Sequence, residues 1–232
     1  MKYRKTDSSV FPMIEVTLNH GEQIRIERGA MAYHNGDVVL EGKMNSNGGG
    51  GIGGALKALG RSIVTNESFF ITTVTSQRDG AVIGVAPKTP GSVMELAVGP
   101  QQWRINDGCF LACDDSVSYD VKTQSLGKAV FAGTGGLFVM ETTGQGMMLI
   151  NAYGDILEFD LDGTKPFVVD NTHVVAWSST LNYDIKIASG TFGFKTGEGL
   201  VNEFNGVGKV YVQTRNVQSL AEMLAPFMPS SS

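Results

Sequence analysis

The stretch GCFLA at residues 108–112, followed by YDVK at residues 119–122, decides the fold because the chain repeats it. Sixty-four residues later, THVVA at residues 172–176 is followed by YDIK at residues 183–186. A looser third copy spans residues 21–43, where glycine, isoleucine and alanine recur at matching spacings. A repeat of this length predicts the same strands and the same buried face in every copy. The repeat therefore specifies an architecture and leaves the chemistry open.

Short apolar segments alternate with polar residues along most of the chain, which is the pattern of β-strands. Residues 14–18, 24–26, 103–105 and 167–169 each have apolar side chains at every second position. Turn sequences such as Asn205-Gly206 separate such segments, and the chain holds 30 glycines but only 7 prolines. We therefore predict an all-β fold, built as stacked sheets or as a closed barrel.

A second half of the repeat, rich in glycine, divides the chain into three units. Two units are whole, at about residues 60–125 and 126–189, and the third combines residues 190–215 with residues 13–45. A unit shared between the two ends of the chain requires those ends to meet in space. We therefore predict one domain over residues 1–232, with three β units related by pseudo-threefold symmetry.

The hydrophobic period changes from two to that of a helix near the end of the chain. Asn216 is a suitable N-cap, and Pro226 would stop the helix. The apolar residues between them are three or four positions apart: Val217, Leu220, Ala221 and Leu224. We predict a short C-terminal helix that covers an open end of the β-structure or docks on a partner subunit.

The net charge of the chain is −5, which gives no general attraction to nucleic acid or to an anionic bilayer. We therefore expect no nucleic-acid partner. The sequence has no run of about 20 apolar residues, so we expect no membrane-spanning helix. The N-terminus is polar and lacks the apolar core of a signal peptide, which favours a cytoplasmic protein.

Two cysteines, Cys109 and Cys113, are four residues apart in one predicted strand. Four strand residues span about 13 Å, which is too far for a disulfide. We therefore expect two buried, reduced thiols, as in a cytoplasmic protein.

A glycine-rich loop over residues 45–54 precedes a short apolar segment at residues 55–59. It lacks the lysine and the spacing of a phosphate-binding P-loop, and it follows no βαβ pattern. We interpret it as a connector between repeat halves, or as a mobile loop that orders on a partner or at a membrane surface. The residues of that candidate partner loop are Gly48, Gly49, Gly50, Gly51, Ile52, Gly53 and Gly54.

Metal, cofactor and nucleophile sites find little support in the sequence. The chain has three histidines and no His-x-His motif of the kind that metal-binding cupins use. In the repeat, His173 takes the place of Cys109, and Trp177 that of Cys113. Such an exchange is typical of a packing position and not of a metal ligand. We predict no catalytic residue, no metal and no cofactor.

Four polar residues are candidates for binding or for an interface. Glu67 and Glu198 occupy related positions in two repeat copies, and the central copy has no acid there. Paired carboxylates can perform acid–base chemistry when they are close, but pseudo-threefold placement favours separate contacts with turn N–H groups. Gln213 and Arg215 end the last predicted strand, where Arg215 can bind a carboxylate or phosphate, or tie that strand to Glu67 or Glu198.

Five motifs together resemble the altered-inheritance-of-mitochondria (Aim) biogenesis family, and in particular its bacterial single-domain branch. They are NESFF at residues 66–70, VAPxxPG at 85–91, CFLA at 109–112, GEGL at 197–200 and GxGxVxxQTR at 206–215. The resemblance covers nearly the whole chain. It departs from the family pattern at Asn66, where glycine is common.

The resemblance implies an all-β fold like that of the tryptophan RNA-binding attenuator protein, with three pseudo-equivalent units. It supplies no catalytic residue, and the inner-membrane role of the mitochondrial members does not transfer directly. We therefore expect a non-catalytic scaffold or binding protein that acts through protein–protein contacts, including self-association. The alternative is a nucleic-acid or small-ligand binding module, and after it a cupin-like enzyme.

Overall fold

Strands dominate the structure, and one short helix follows the last of them. The computed structural model describes residues 1–8, 10–43, 71–124, 138–188 and 199–228. Within these ranges every strand pairing between named strands is antiparallel, and the sheets are open instead of closing into a barrel. The prediction of an all-β fold with a short C-terminal helix is confirmed.

The first half of the chain contributes β1 (Lys2–Lys5), β2 (Ile14–Leu18), β3 (Gln23–Glu27), β4 (Met31–His34), β5 (Val38–Lys43), β6 (Ile71–Ser76), β7 (Ala81–Val85), β8 (Val93–Val98), β9 (Trp103–Asn106), β10 (Phe110–Asp114) and β11 (Val117–Thr123). The second half contributes β12 (Phe138–Gly144), β13 (Gly146–Asn151), β14 (Ile156–Asp162), β15 (Phe167–Asp170), β16 (Val174–Ser178), β17 (Asn182–Ile187), β18 (Leu200–Asn205), β19 (Val207–Gln213) and the helix α1 (Val217–Leu224).

Two six-stranded sheets have the same order of equivalent strands. The first runs β5-β6-β3-β10-β13-β8, and the second runs β11-β12-β9-β16-β19-β14. The number of each strand in the second sheet is six higher than that of its counterpart in the first. Adding six once more gives β17-β18-β15. For the other three strands the count passes β19 and continues from β2, which gives β4-β7-β2. These strands are present as two smaller sheets, β15-β18-β17 and β1-β2-β7-β4.

This order supports three units of six strands, one of them divided between the two ends of the chain. The unit boundaries at about residues 60–125, 126–189, and 190–215 with 13–45 stay a prediction. The likeness to the tryptophan RNA-binding attenuator protein also stays a prediction.

The central strands β10 and β16 are buried on both faces, which accounts for their apolar sequences. A β-bulge interrupts the pairing of β10 between Phe110 and Ala112 and that of β16 between Val174 and Ala176. A bulge adds one residue, so neighbouring side chains turn to the same face of the sheet. The pairing of β4 is irregular at the matching place, between Met31 and Tyr33. The shared irregularity is further support for three equivalent units.

The two cysteines are free and buried, as expected, and Cys109 lies just before β10 instead of inside it. Burial, the largest cause, raises the pKa of both thiols to about 12. At pH 8 about one thiol in ten thousand is then a thiolate, which is the reactive form.

We expect native protein to show no fast-reacting thiol toward a disulfide reagent at pH 8, and two such thiols in denaturant. Absorbance of the released thiolate measures both values. The variant Ser118→Cys, which adds an exposed cysteine, should show one fast thiol when native. A fast thiol in the unsubstituted native protein would contradict the burial of Cys109 and Cys113.

His173, which takes the place of Cys109 in the repeat, likewise lies just before its strand, in a 3-10 turn, Asn171–His173. The helix α1 begins as predicted, because the Asn216 side chain accepts a hydrogen bond of 2.7 Å from the backbone N–H of Ser219. However, no residue of α1 is buried. The expectation that this helix covers an open end of the β-structure is therefore wrong for the described part of the chain.

None of the helical segments in the described ranges combines the length and the apolar character needed to cross a lipid bilayer.

Candidate functional site

One strand pair that both six-stranded sheets contain is missing from the third set of strands. In the first sheet β3 pairs with β10, and in the second β9 pairs with β16. The equivalent partners are β15 and β4, and they are not paired within the described residues. Accordingly, β4 pairs with β7 alone and β15 with β18 alone. We call the two unpaired edges, Met31–His34 and Phe167–Asp170, the seam.

The β4 side of the seam is exposed where its counterpart β16 is buried, and on β15 only Val168 is exposed. All four residues of β4 are exposed, whereas all five residues of β16 are buried. Met31 is 39% exposed and Tyr33 40%, and on β15 the side chain of Val168 is 53% exposed. An unpaired strand edge presents free backbone N–H and C=O groups, and apolar side chains beside it favour association with another strand. The seam is therefore our candidate interaction site.

In the two complete sheets, the strand equivalent to β15 carries an arginine that faces the neighbouring central strand. Arg25 on β3 lies opposite Cys113, and its Nη1 donates to the carbonyl oxygen of Val117 at 2.7 Å. The same place on β9 holds Arg104, opposite Trp177. Its Nη1 donates 2.9 Å to the carbonyl oxygen of the residue that precedes β17.

The third copy lacks this arginine, because Val168 follows Arg104 by the 64 residues that separate the repeats. On the other side of the seam, His34 takes the place of Cys113 and Trp177. The seam thus keeps the strands of the repeat but replaces the arginine by an exposed apolar side chain.

A second apolar surface follows the last strand. It consists of exposed apolar side chains on α1 and on the residues that follow it: Val217, Met223, Leu224, Phe227 and Met228. Phe227 is the most exposed of them, at 84%. We call this set the C-terminal apolar surface.

A cavity of about 460 Å³ lies beside β8 and β14, the outer strands of the two six-stranded sheets. Trp103 and Tyr211 line it, with ring centroids 5.6 Å apart. Lys209 also lines it and binds two carboxylates, Asp160 at 2.7 Å and Glu158.

The titratable groups of this cavity are held in their ordinary forms at neutral pH. The carboxylates of Asp160 and Glu158 raise the pKa of Lys209, so its ammonium group stays charged. Burial, the largest cause, raises the pKa of Tyr211 to about 12, so its phenol stays protonated. Lys209 and Tyr211 therefore suit binding of a ligand better than transfer of a proton.

The structure places two of the four predicted polar residues, and it gives the side chain of one of them a structural role. The Gln213 side chain accepts from the backbone N–H of Tyr153 at 2.9 Å and donates to the carbonyl oxygen of Thr172 at 2.8 Å. The backbone N–H of Arg215 donates to the carbonyl oxygen of Tyr153 at 3.1 Å. Within the described ranges the Arg215 guanidinium forms no ion pair. Glu67, Glu198 and the glycine-rich loop at 45–54 lie outside the described residues.

His173 also has a structural role. Its Nδ1 lies 2.7 Å from the carbonyl oxygen of Gln213, and its Nε2 lies 2.8 Å from the Asn216 side-chain nitrogen. Since a carbonyl only accepts, Nδ1 carries the proton and Nε2 accepts. Both ring nitrogens are thus occupied. In the described part of the chain, no three histidine, cysteine or acidic side chains group as metal ligands do.

Three equivalent glutamates were missed by the sequence reasoning. Glu15, Glu95 and Glu158 lie at the same position of β2, β8 and β14, as the strand registers show. The signal was an isolated glutamate between apolar residues, in IEV, MEL and LEF.

Each of these glutamates has a different partner. Glu15 pairs with Arg4 at 2.7 Å and also accepts from the Tyr33 hydroxyl, and Glu95 accepts from the Tyr3 hydroxyl at 2.8 Å. The third, Glu158, pairs with Lys209. The hydrogen bond from Arg4, and after it the one from Tyr33, lowers the pKa of Glu15. All three carboxylates are thus satisfied by partners within the chain.

Comparison with known proteins agrees with the motifs. The model of the family described as "Mitochondrial biogenesis AIM24" matches residues 3–215. An uncharacterised protein of Streptococcus pyogenes serotype M6 is 43% identical over 233 residues, which cover 100% of this chain and 93% of that protein. The X-ray crystal structure of a protein from Streptococcus pyogenes matches with a TM-score of 0.82 at 39% identity, covering 98% of this chain and 99% of the other.

Both relatives are bacterial and match over nearly their whole lengths, as the resemblance to a bacterial branch predicts. A family model that spans residues 3–215 reaches from β1 to the end of β19. The chain therefore belongs to the mitochondrial biogenesis AIM24 family.

Proposed function

We propose that the protein is a non-catalytic scaffold or binding protein that acts through contacts with other proteins. The seam is the single observation that supports this function most. Each of its two strands pairs on one side only within the described residues, so the other side presents backbone groups for a further strand, beside exposed apolar side chains. The C-terminal apolar surface provides a second region of the same kind. A cytoplasmic location belongs to the same proposal, and the two free cysteines support it.

A non-catalytic role fits the chemistry of the titratable groups near cavities. A nucleophile or a general base needs a pKa close to the working pH. Burial instead moves the pKa of Cys109, Cys113 and Tyr211 upward, away from neutrality. Lys209 is engaged by two carboxylates and is a poor candidate for a base.

Small-ligand binding is the second candidate function, and the 460 Å³ cavity favours it. That volume lies within the usual range for ligand pockets. Its aromatic walls, Trp103 and Tyr211, suit a flat ligand. The net charge of −5 disfavours nucleic acid.

The test is affinity capture from the cells that make the protein, with a matched pair of surface variants. Met31→Lys and Val168→Lys place charge on the seam, where both side chains are already exposed. Val39→Lys, at a valine of β5 whose exposure lies between those of Met31 and Val168, is the control. We expect the seam variants to retain at most about one tenth of the captured protein, and the control to retain all of it. Equal capture by all three variants, or capture of no protein by any of them, would refute an interaction function at the seam.

A further inference from the structure

We propose that two copies of this chain complete each other, with β4 of each copy pairing with β15 of the other. The inference rests on the proposed function and deepens it, because it names the partner at the seam and the strands that meet. Four strands from two copies then form two antiparallel pairs related by a twofold axis.

The two complete sheets provide the template for this pairing. Between β3 and β10, Arg25 lies opposite Cys113, and between β9 and β16, Arg104 lies opposite Trp177. The register is therefore the same in both sheets. Transferred to the seam, it places Val168 opposite His34 and Val169 opposite Tyr33. The pairing extends a pattern that the chain already forms twice.

The charges on the other outer strands single out the seam as the place where a strand can add. An edge strand that must stay unpaired usually carries charged residues or proline. Charged side chains are present in β1, β5, β8, β11, β14 and β17, the other outer strands of the described sheets. By contrast β4 has the sequence MAYH, and β15 has FVV before its final Asp170. Asp170 is the one acidic residue of the seam, and its side chain accepts hydrogen bonds from the backbone N–H and the hydroxyl of Thr172. The rest of the seam lacks the charges that every other described edge carries.

A second copy fits the seam better than closure within one chain. The single chain contains both β4 and β15, yet in the described residues they stay unpaired. A second copy supplies the missing strand to each edge without a change in the sheets already formed. Because each copy offers both edges, a twofold arrangement satisfies all four and stops at two chains. Pairing also removes Met31, Tyr33 and Val168 from water, which stabilises the contact.

The experiment uses the full chain with His34→Cys and Val168→Cys, separately and together. Directly opposed residues in antiparallel strands bring their Cβ atoms to about 4.5–5.5 Å, close enough for a disulfide after a small adjustment. Both positions are exposed, and the native cysteines are buried. After mild oxidation we expect the double variant to migrate as a covalent dimer on a non-reducing gel. Each single variant should give at least about tenfold less dimer.

Light scattering of the unsubstituted protein completes the test, and we expect twice the chain mass of 24.8 kDa. A disulfide inside one chain of the double variant, with a monomer mass, would overturn the proposal because the seam then closes on itself. A monomer mass without any cross-link would also overturn it. In that case a loss of captured protein in Met31→Lys would still support the proposed function with a different partner. The two proposals therefore fail separately.

Discussion

Replacing Trp177 by alanine is expected to lower the free energy of unfolding by about 3–5 kcal/mol, the usual range for loss of a buried tryptophan. Trp177 belongs to β16, and its side chain is fully buried in a hydrophobic core. Its ring lies 4.9 Å from the ring of Tyr183 and 5.5 Å from that of Phe204, measured between centroids. Alanine leaves a cavity between these rings, because a packed core relaxes only in part. Denaturant titration followed by circular dichroism measures the change.

Trp177→Phe is the matched variant, and we expect a much smaller loss, of about 1 kcal/mol or less. The indole Nε1 of Trp177 is buried and has no hydrogen-bond partner among the described residues. Phenylalanine removes this unpaired donor, which offsets part of the lost packing. If phenylalanine destabilises the protein as much as alanine does, the Trp177 donor has a partner and our account of this core is wrong.

Gly91→Ala is the second substitution with a large expected effect, a loss of about 2–6 kcal/mol from backbone strain and overlap together. Gly91 has φ +154°, a conformation that residues with a side chain rarely adopt. A Cβ atom there would overlap the carbonyl oxygen of Ala152 and lie 2.5 Å from the nitrogen of Gly154. These are backbone atoms, so they cannot turn away as the end of a flexible side chain can.

Gly91 has this effect because two equivalent loops cross at this point. Gly91 precedes β8 and Gly154 precedes β14, and the two form a β-bridge. The N–H of Gly91 also donates to the carbonyl oxygen of Val10 at 2.7 Å, in the segment between β1 and β2. Loops from two repeat units and the segment that leads into β2 therefore meet here.

The matched control is Gly99→Ala, since a Cβ atom at Gly99 has no heavy atom within 4 Å. We expect the control to unfold at nearly the same denaturant concentration as the unsubstituted protein. Equal stability of Gly91→Ala and Gly99→Ala would contradict the close crossing of the loops.

The strands were largely predictable from the sequence, because alternation and turn glycines act over a few residues. The repeat between residues 108–122 and 172–186 gave equivalent strands with equivalent registers. The N-cap at Asn216 was predictable for the same local reason. What failed was the packing of α1, since its apolar side chains indicate a face to be covered and not what covers it.

The candidate site was beyond the sequence for a different reason. Strand β4 belongs to the loosest copy of the repeat, and only the sheet order shows that its partner is absent. The cavity depends on β8 and β14, which belong to different sheets and have no shared motif that names them as neighbours. The glutamates at positions 15, 95 and 158 could have been found by aligning the three short strands. Two of their partners, Arg4 for Glu15 and Tyr3 for Glu95, could not, because both lie in β1, which is outside the repeat.

The distribution of charge along the outer strands bears on aggregation. Carboxylates on β14, such as Glu158 and Asp160, repel the same strand of a neighbouring molecule. Replacing these two and Asp162 by neutral residues would leave β14 as a second uncharged edge. If two copies pair at the seam as proposed, we expect such a variant to associate at this second edge as well and to form fibres in place of finite particles.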